Sequence, residues 1–451
     1  MTPDEQIAAL QAENATLRQD LSLLREQLAA ALARIQELEN RPKEPPSFLK
    51  PNAPKRQPKP RKKRDPKHNR ARRLELPSRI EQHALEHCPD CHQRLRGGAL
   101  ARRRQVIELP EPHPVEVIEH QIIKRWCSWC TCWQAPPLDL SGQVLGHSRI
   151  GVRIASLIAY LRTTLRLPIR RIQAYLQTMH RLTISTGEIT ELLHHVREAT
   201  QGAVERLKRE ARASPILHVD ETGWREAGQN GYVWSLSTPE GVRYYEYDHS
   251  RAGAVATRLI GKEYRGHLVT DFYAGYNHLP GPHQRCWVHL LRDLHELKER
   301  HGQDVRVRQW AVQVDAVYRL AQQRLVQIPM LTGGQRQALY ERLVERVVGL
   351  GKAYAQTRGH ACQALAKRLL RHQGELFQFV LIEGLRAENN LAERSLRGVV
   401  VVRKISGGTQ SEAGSKTRMG LISLFETWQA RGLNPFEECL TLLRQTPLPQ
   451  L

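Results

Sequence analysis

Two short apolar runs, each closed by an aspartate, set the tightest limit on what this chain can fold into. Pro215-Ile216-Leu217-His218-Val219 ends on Asp220, with Glu221-Thr222 following. Gly266-His267-Leu268-Val269-Thr270 ends on Asp271, with Phe272-Tyr273-Ala274-Gly275-Tyr276 following. Each run is a handful of apolar or β-branched residues bounded by turn-prone ones, which predicts a short buried strand. A carboxylate where a buried strand meets a loop is costly to desolvate unless something positive neutralises it. Two of them on neighbouring strands repel, and a divalent cation between them removes the repulsion. Two solvated turn residues are the plainer alternative.

The charge balance narrows the partner. With 68 Lys+Arg against 46 Asp+Glu, the net charge is +22 and the pI near 10.0, so a polyanion is favoured. Nucleic acid is the usual one; an anionic membrane surface or a ribosome competes. No apolar stretch reaches the roughly 18 residues that span a bilayer. Met1-Thr2-Pro3-Asp4-Glu5 lacks the basic-then-apolar layout of a secretory signal, so a cytoplasmic protein with no membrane partner is expected. Of 8 cysteines, four fall in two C-x-x-C pairs, which in a reducing compartment point to metal before disulfides.

At 451 residues, two to four domains are expected, and the chain divides by pattern. Residues 1–40 carry a heptad with Ile7, Asn14, Leu21, Leu28 and Ile35 at a and Leu10, Leu17, Leu24, Ala31 and Leu38 at d. A lone Asn at a fixes a parallel two-stranded register, so a dimerising coiled coil is expected, with a helix packed on its own domain as the alternative. Residues 41–80 are rich in proline and positive charge, including Arg61-Lys62-Lys63-Arg64. This is an extended tether that either lies along phosphates or only solubilises. Residues 81–140 hold Cys88-Pro89-Asp90-Cys91 and Cys127-Ser128-Trp129-Cys130, joined by a β-pattern over Val115–Ile123. Four thiolates at two knuckles make a tetrahedral structural zinc site, the zinc ribbon, with unliganded thiols as the alternative. Residues 141–205 read as helices. A capping box from Ser185 to Glu188 opens the last of them, in a helix-turn-helix-like layout or a plain helical bundle.

From residue 206 the pattern turns to strand, strand, strand, helix, strand, the opening order of a ribonuclease-H-like α/β fold. That layout brings the first and fourth strands together, and Asp220 and Asp271 with them. This α/β core would run over 206–300, give way to helices over 301–384, and resume over 385–451 with C-terminal helices. Cys286-Trp287-Val288-His289 leads into a helix, where His289 and His295 read as packed or solvated residues, with metal ligands or phosphate contacts as the alternative. A new helix begins within Leu385–Arg397, and Val399–Val402 is a buried run ending on Arg403 and Lys404.

In the order of these motifs the chain resembles DDE transposases of the insertion-sequence-66 family over nearly its full length. The matching residues are the zipper, Cys88/Cys91/Cys127/Cys130, His218-Val219-Asp220-Glu221-Thr222, Asp271-Phe272-Tyr273-Ala274-Gly275-Tyr276, Cys286-Trp287-Val288-His289 and Asn389-Asn390-Leu391-Ala392-Glu393-Arg394-Ser395-Leu396-Arg397. The resemblance implies a catalytic triad of Asp220, Asp271 and Glu393, with Glu388 a second acid nearby where an Asp would be expected. It implies two Mg2+ or Mn2+ ions flanking an in-line phosphorus. Arg394, Arg397, Arg403 and Lys404 would be cations near the DNA. It further implies cleavage at transposon ends, strand transfer into target DNA, and room for accessory transposition proteins. A non-catalytic DNA-binding regulator and a plain metal-dependent nuclease are the rival classes.

Overall fold

A computed structural model describes residues 21–22, 24–29, 31–32, 36, 76–97, 99–100, 104–106, 114–327 and 331–445. The chain forms two compact units, residues 1–109 and 110–451. In the first unit the described residues between 21 and 36 are helical, and Leu21, Leu24 and Leu28 expose half or more of their surface. Most of the heptad, and Arg61, Lys62, Lys63 and Arg64 of the basic tether, lie outside the described residues. A tight reversal at Cys88-Pro89-Asp90-Cys91 is closed by the Cys88 N–H on Gln93 (2.9 Å) and the His92 N–H on Cys88 (2.9 Å).

The second unit opens with a small hairpin, β1 (Arg125–Cys127) and β2 (Cys132–Gln134). The stretch Val115–Ile123, read as β-pattern, forms no strand; its side chains are largely exposed and lack the neighbouring strand that the pattern needs. Four helices follow: α1 (Val152–Thr163), α2 (Ile169–His180), α3 (Thr186–Ala199) and α4 (Gln201–Ala213). Ser185 caps α3 by accepting the Glu188 N–H at 3.0 Å, as its spacing predicts. The Glu188 carboxylate turns away to pair with Arg149 at 2.9 Å, so the reciprocal half of the expected box is replaced by an ion pair.

The sheet holds β3 (Ile216–Glu226), β4 (Gln229–Ser237), β5 (Arg243–Asp248), β6 (His267–Thr270) and β7 (His283–Arg285), with α5 (Gly253–Ile260) between β5 and β6. Its spatial order is β5-β4-β3-β6-β7. The first three strands form an antiparallel meander, and β6 and β7 add in parallel beyond β3. The helices α6 (Trp287–Arg300), α7 (Val305–Gln327), α8 (Gly333–Ala355), α9 (Gln363–Arg371) and a short α10 (Gln378–Leu381) make the helical block between β7 and the next long helix. The chain returns with α11 (Asn390–Ser406), α12 (Glu412–Ala430) and α13 (Pro435–Arg444).

Alternation along β3 sends successive residues to opposite faces. Leu217 and Val219 share one core with Leu268, Trp234 and the helices α1 to α4, so those helices and the sheet are packed as one body. Ile216 and Val269, on the other face, pack with Trp287 and the helical block. Further along, Trp224, Val233 and Tyr245 pack against Leu396, Val399 and Val402 of α11 and Met419 and Ile422 of α12. The run Val399–Val402 is therefore helical: Val399 and Val402 face inward and Val401 outward. Trp287 anchors the block to the sheet, stacking on Tyr318 at 4.9 Å and donating its indole N–H to Leu376 at 2.5 Å.

Candidate active site

The parallel pairing of β3 with β6 joins Ile216 to His267, Leu217 to Leu268 and His218 to Val269. Continued by two residues, the same register sets Asp220 level with Asp271. Alternation then puts both on the face covered by α11. Asp220 Oδ1 accepts the Glu221 N–H at 2.9 Å, and Asp271 Oδ1 accepts the Tyr273 N–H at 2.9 Å. Burial pushes the Asp220 carboxyl up to about 8, and the charges of Glu221, Asp271 and Glu393 push in the same direction. Two acids distant in sequence, Asp271 and Glu393, thus act on one carboxyl together with its neighbour Glu221. Glu388 is not among them; its charge acts instead on Tyr318 of the helical block.

Glu393 lies in the first turn of α11, and Asn389 holds that turn in place. Asn389 is fully buried. Its Nδ2 donates to the Val219 carbonyl at 2.9 Å, its Oδ1 lies 3.0 Å from His218 Nδ1, and its backbone N–H reaches Cys286 Sγ at 3.2 Å. The helix start is thereby stapled to β3 one residue before Asp220. Burial holds His218 down to about 4, so at neutral pH it is an uncharged hydrogen-bonding partner.

Glu393 Oε1 is buried without a hydrogen-bond partner, and so is His289 Nδ1. His289 Nε2 lies 3.7 Å from Glu393 Oε1. Ligand atoms of Cys286, His289 and Glu393 all fall within 4.8 Å of one another. His289 therefore faces the acids, where the sequence reading had it packed or solvated. The signal was its i, i+3 spacing from Cys286 at a helix start, which puts both on one face. A cluster of mutually repelling carboxylates with an orphaned buried oxygen is the donor set that a hard divalent cation satisfies.

Around the acids the loops are braced. The Glu221 side chain is 2% exposed; Arg251 pairs with it at 2.5 Å and the Tyr276 hydroxyl donates to it. Burial raises Glu221, while those two bonds oppose the rise. Arg285, with no exposed surface, donates from Nη1 to the Asp271 carbonyl at 3.0 Å and to Thr270 Oγ1 at 3.1 Å. Its Nη2 reaches Asn277 Oδ1 at 2.9 Å and its Nε reaches Glu375 Oε2 at 2.5 Å. One guanidinium therefore shapes the Asp271 loop and ties it to the helical block.

The basic candidates on α11 divide. Arg394, Arg397 and Lys404 are exposed. Arg403 is half-buried and donates to the Gly223 carbonyl and to Thr222 Oγ1 at 3.3 Å, so it braces β3. The cysteine pairs lie one in each unit. At each, the first thiol is held below its ordinary value by N–H groups of its own knuckle: the N–H of Cys91, then Asp90, for Cys88, and chiefly the N–H of Cys130 for Cys127. In both knuckles the residue after the second Cys is left-handed, His92 at φ 55° and Thr131 at φ 49°. Cys132 Sγ is engaged by Gln134 Nε2 at 3.1 Å.

A family profile described as "Transposase IS66 family" matches residues 147–417. That is more than half of the chain, and the chain belongs to this family of transposases. It is also similar to two proteins of Sinorhizobium fredii (strain NBRC 101917 / NGR234) described only as uncharacterized. One, y4jO, is 29% identical over 157 residues, covering 34% of this chain and 46% of the relative. The other, y4qI, is 24% identical over 214 residues, covering 45% of this chain and 39% of the relative. The matches thus span less than half the length of either relative.

Proposed function

We propose that this protein is a DDE transposase that cuts DNA at transposon ends and joins the freed 3′ ends to target DNA, with Asp220, Asp271 and Glu393 as its catalytic carboxylates. The observation that carries the proposal is the sheet order. The order β5-β4-β3-β6-β7 supports the reading of a ribonuclease-H-like core, with Asp220 on the central strand, Asp271 at the end of the parallel strand beside it, and the charge of Glu393 reaching Asp220. The three carboxylates would hold two Mg2+ or Mn2+ ions. When bound, such ions supply Lewis-acid activation of a water or 3′-hydroxyl and offset charge at phosphorus.

The chain's own groups divide the remaining work. Asn389 fixes Glu393 relative to β3, Arg285 fixes the Asp271 loop, and the Arg251–Glu221–Tyr276 cluster closes the site on the side of α5. Arg394 and Arg397 offer charge to DNA phosphates beside the carboxylates, where electrostatic stabilisation counts most, and Lys404 offers it further along α11. Cys88, Cys91, Cys127 and Cys130 would serve as thiolate ligands of structural Zn2+. The zipper would dimerise the chain, and the basic tether would follow the DNA backbone without reading sequence. The work on DNA would take place in the cytoplasm, at the nucleoid; among the described residues no helix is long and apolar enough to cross a membrane.

The test is metal-dependent nicking and joining of labelled transposon-end DNA by purified protein. Asp220→Asn, Asp271→Asn and Glu393→Gln should each fold, bind DNA and lose cleavage, while Glu388→Gln keeps it. Wild-type nicking by any of the first three overturns the triad. Nicking without joining of pre-cut ends would make the protein a nuclease instead.

A further inference from the structure

Arg418 lies in α12 and is 6% exposed, yet its Nε and Nη1 are buried without a hydrogen-bond partner. The charged groups that act on it are Arg162 at the end of α1 and Arg166 in the turn that follows. Burial first, and then those two cations, lower its pKa to about 9, so it remains charged at neutral pH. A buried charge among like charges is strongly destabilising, and a purely structural role would be served better by an apolar residue. The acid nearby, Glu426, is already engaged by Arg166 at 3.5 Å.

The position of this cluster relates it to the carboxylates. A Cβ built on Gly398 of α11 would lie 3.1 Å from Arg166 Nη2 and 3.1 Å from Glu426 Oε1, so Arg166 rests directly on that helix. Gly398 follows Glu393 on α11 by about 7.5 Å of helix rise at 1.5 Å per residue. Arg394, one residue past Glu393, is close enough to act on Arg243, and Arg243 in turn acts on Glu426. A chain of charged groups, with Glu426 between Arg243 and Arg166, thus leads from Arg394 beside Glu393 to Arg418.

We infer that Arg418, with Arg162 and Arg166 beside it, forms a socket for one phosphate group, filled in the DNA complex by a backbone phosphodiester of the strand that runs along α11. Guanidinium groups are suited to it because their planar N–H forks match the oxygens of a phosphate. The phosphate supplies acceptors for the two orphaned nitrogens and the negative charge that the cluster lacks. The identity of the occupant rests on the DNA reading above; the phosphate site itself does not.

Two arms test it on the full-length protein. In the first, thermal melting is followed with and without inorganic phosphate at constant ionic strength. Phosphate should raise the Tm of wild type by a few degrees, and Arg418→Met and Arg166→Ala should lose most of that rise. Arg418→Met should also melt no lower than wild type in chloride, because its buried charge is gone. An equal response to phosphate in wild type and both variants overturns the socket. In the second arm, affinity for a short fluorescent duplex is measured from about 50 to 200 mM salt, and each variant should lower the log–log salt slope by about 1. A lost phosphate response with an unchanged salt slope overturns the DNA assignment and leaves a site for free phosphate. If Arg418→Met fails to fold, Arg166→Ala carries both arms. Neither arm reads cleavage, so failure of the catalytic proposal is seen separately.

Discussion

A single carboxyl, that of Asp220, links the stability of this protein to its chemistry. Its folded pKa of about 8 lies well above its ordinary value of 3.8. The sign follows: a raised carboxyl contributes most stability below about pH 4, and that contribution is lost as pH rises through 8. Without divalent metal, the wild type should therefore lose stability from pH 4 to 8, and Asp220→Asn should lose less. At pH 8 in EDTA the variant should be more stable by about 2 kcal/mol, a fraction of what 1.36 kcal/mol per pKa unit would allow. Urea melts of both proteins at pH 5 and pH 8 check this, and an advantage for the variant at pH 5 alone would contradict it. Asn389 offers a second test at this scale. Asn389→Ala removes both side-chain bonds that tie α11 to β3 and should cost about 2 kcal/mol at roughly 1 kcal/mol per bond. The turnover rate of end cleavage should fall further than DNA affinity, because Glu393 loses its register while the basic surface stays.

Between elements, the sheet is joined to the helical block through Arg285 and Glu375. Burial opposes ionisation of Glu375, but hydrogen bonds from His372 and Arg285 win and hold it down to about 2. A depressed carboxyl contributes stability above its ordinary value of 4.5 and loses it as pH falls through 2, so the block should loosen in that window. Arg285→Met leaves Glu375 half-buried and removes the brace of the Asp271 loop. About 1.5–3 kcal/mol of destabilisation is expected, the range for a lost charge-assisted hydrogen bond, because Glu375 is a third exposed and keeps its bond from His372. Hydrogen exchange should show the loss first in α9, α10 and the loop after β6. Protection unchanged in those segments would mean that the tie does not couple them.

At the scale of the whole molecule, the two features that lie outside the family-matched residues 147–417 have separable readouts. Removing residues 1–40 should convert a dimer to a monomer in sedimentation without loss of metal-dependent nicking of a single end. A dimer that survives the deletion would place the interface elsewhere. Cys88→Ser with Cys91→Ser should lower the zinc bound per chain, leaving the melting of the sheet unchanged; zinc content equal to wild type would remove these thiols as ligands.

Much of this was legible in the chain itself. Asp220 and Asp271 stand out because a buried strand that ends on a charge violates local pattern, and such violations concentrate at functional sites. The helices and the strands of the sheet follow from periodicity, which is local information; the adjacency of the first and fourth strands follows from their likeness in order to a known fold. What the sequence could not reveal depends on contacts between distant segments. His289 reads as an ordinary helix residue until α11 brings Glu393 against it. Arg403 reads as a DNA contact until β3 engages it, and Val115–Ile123 reads as strand although no neighbour pairs with it. Arg418 looks like one arginine among many until packing buries it beside two more. The sequence by itself determined which elements form and which acids are costly to bury; the tertiary structure alone decided which charges meet, because desolvation and mutual repulsion arise only where separate elements close over the same point.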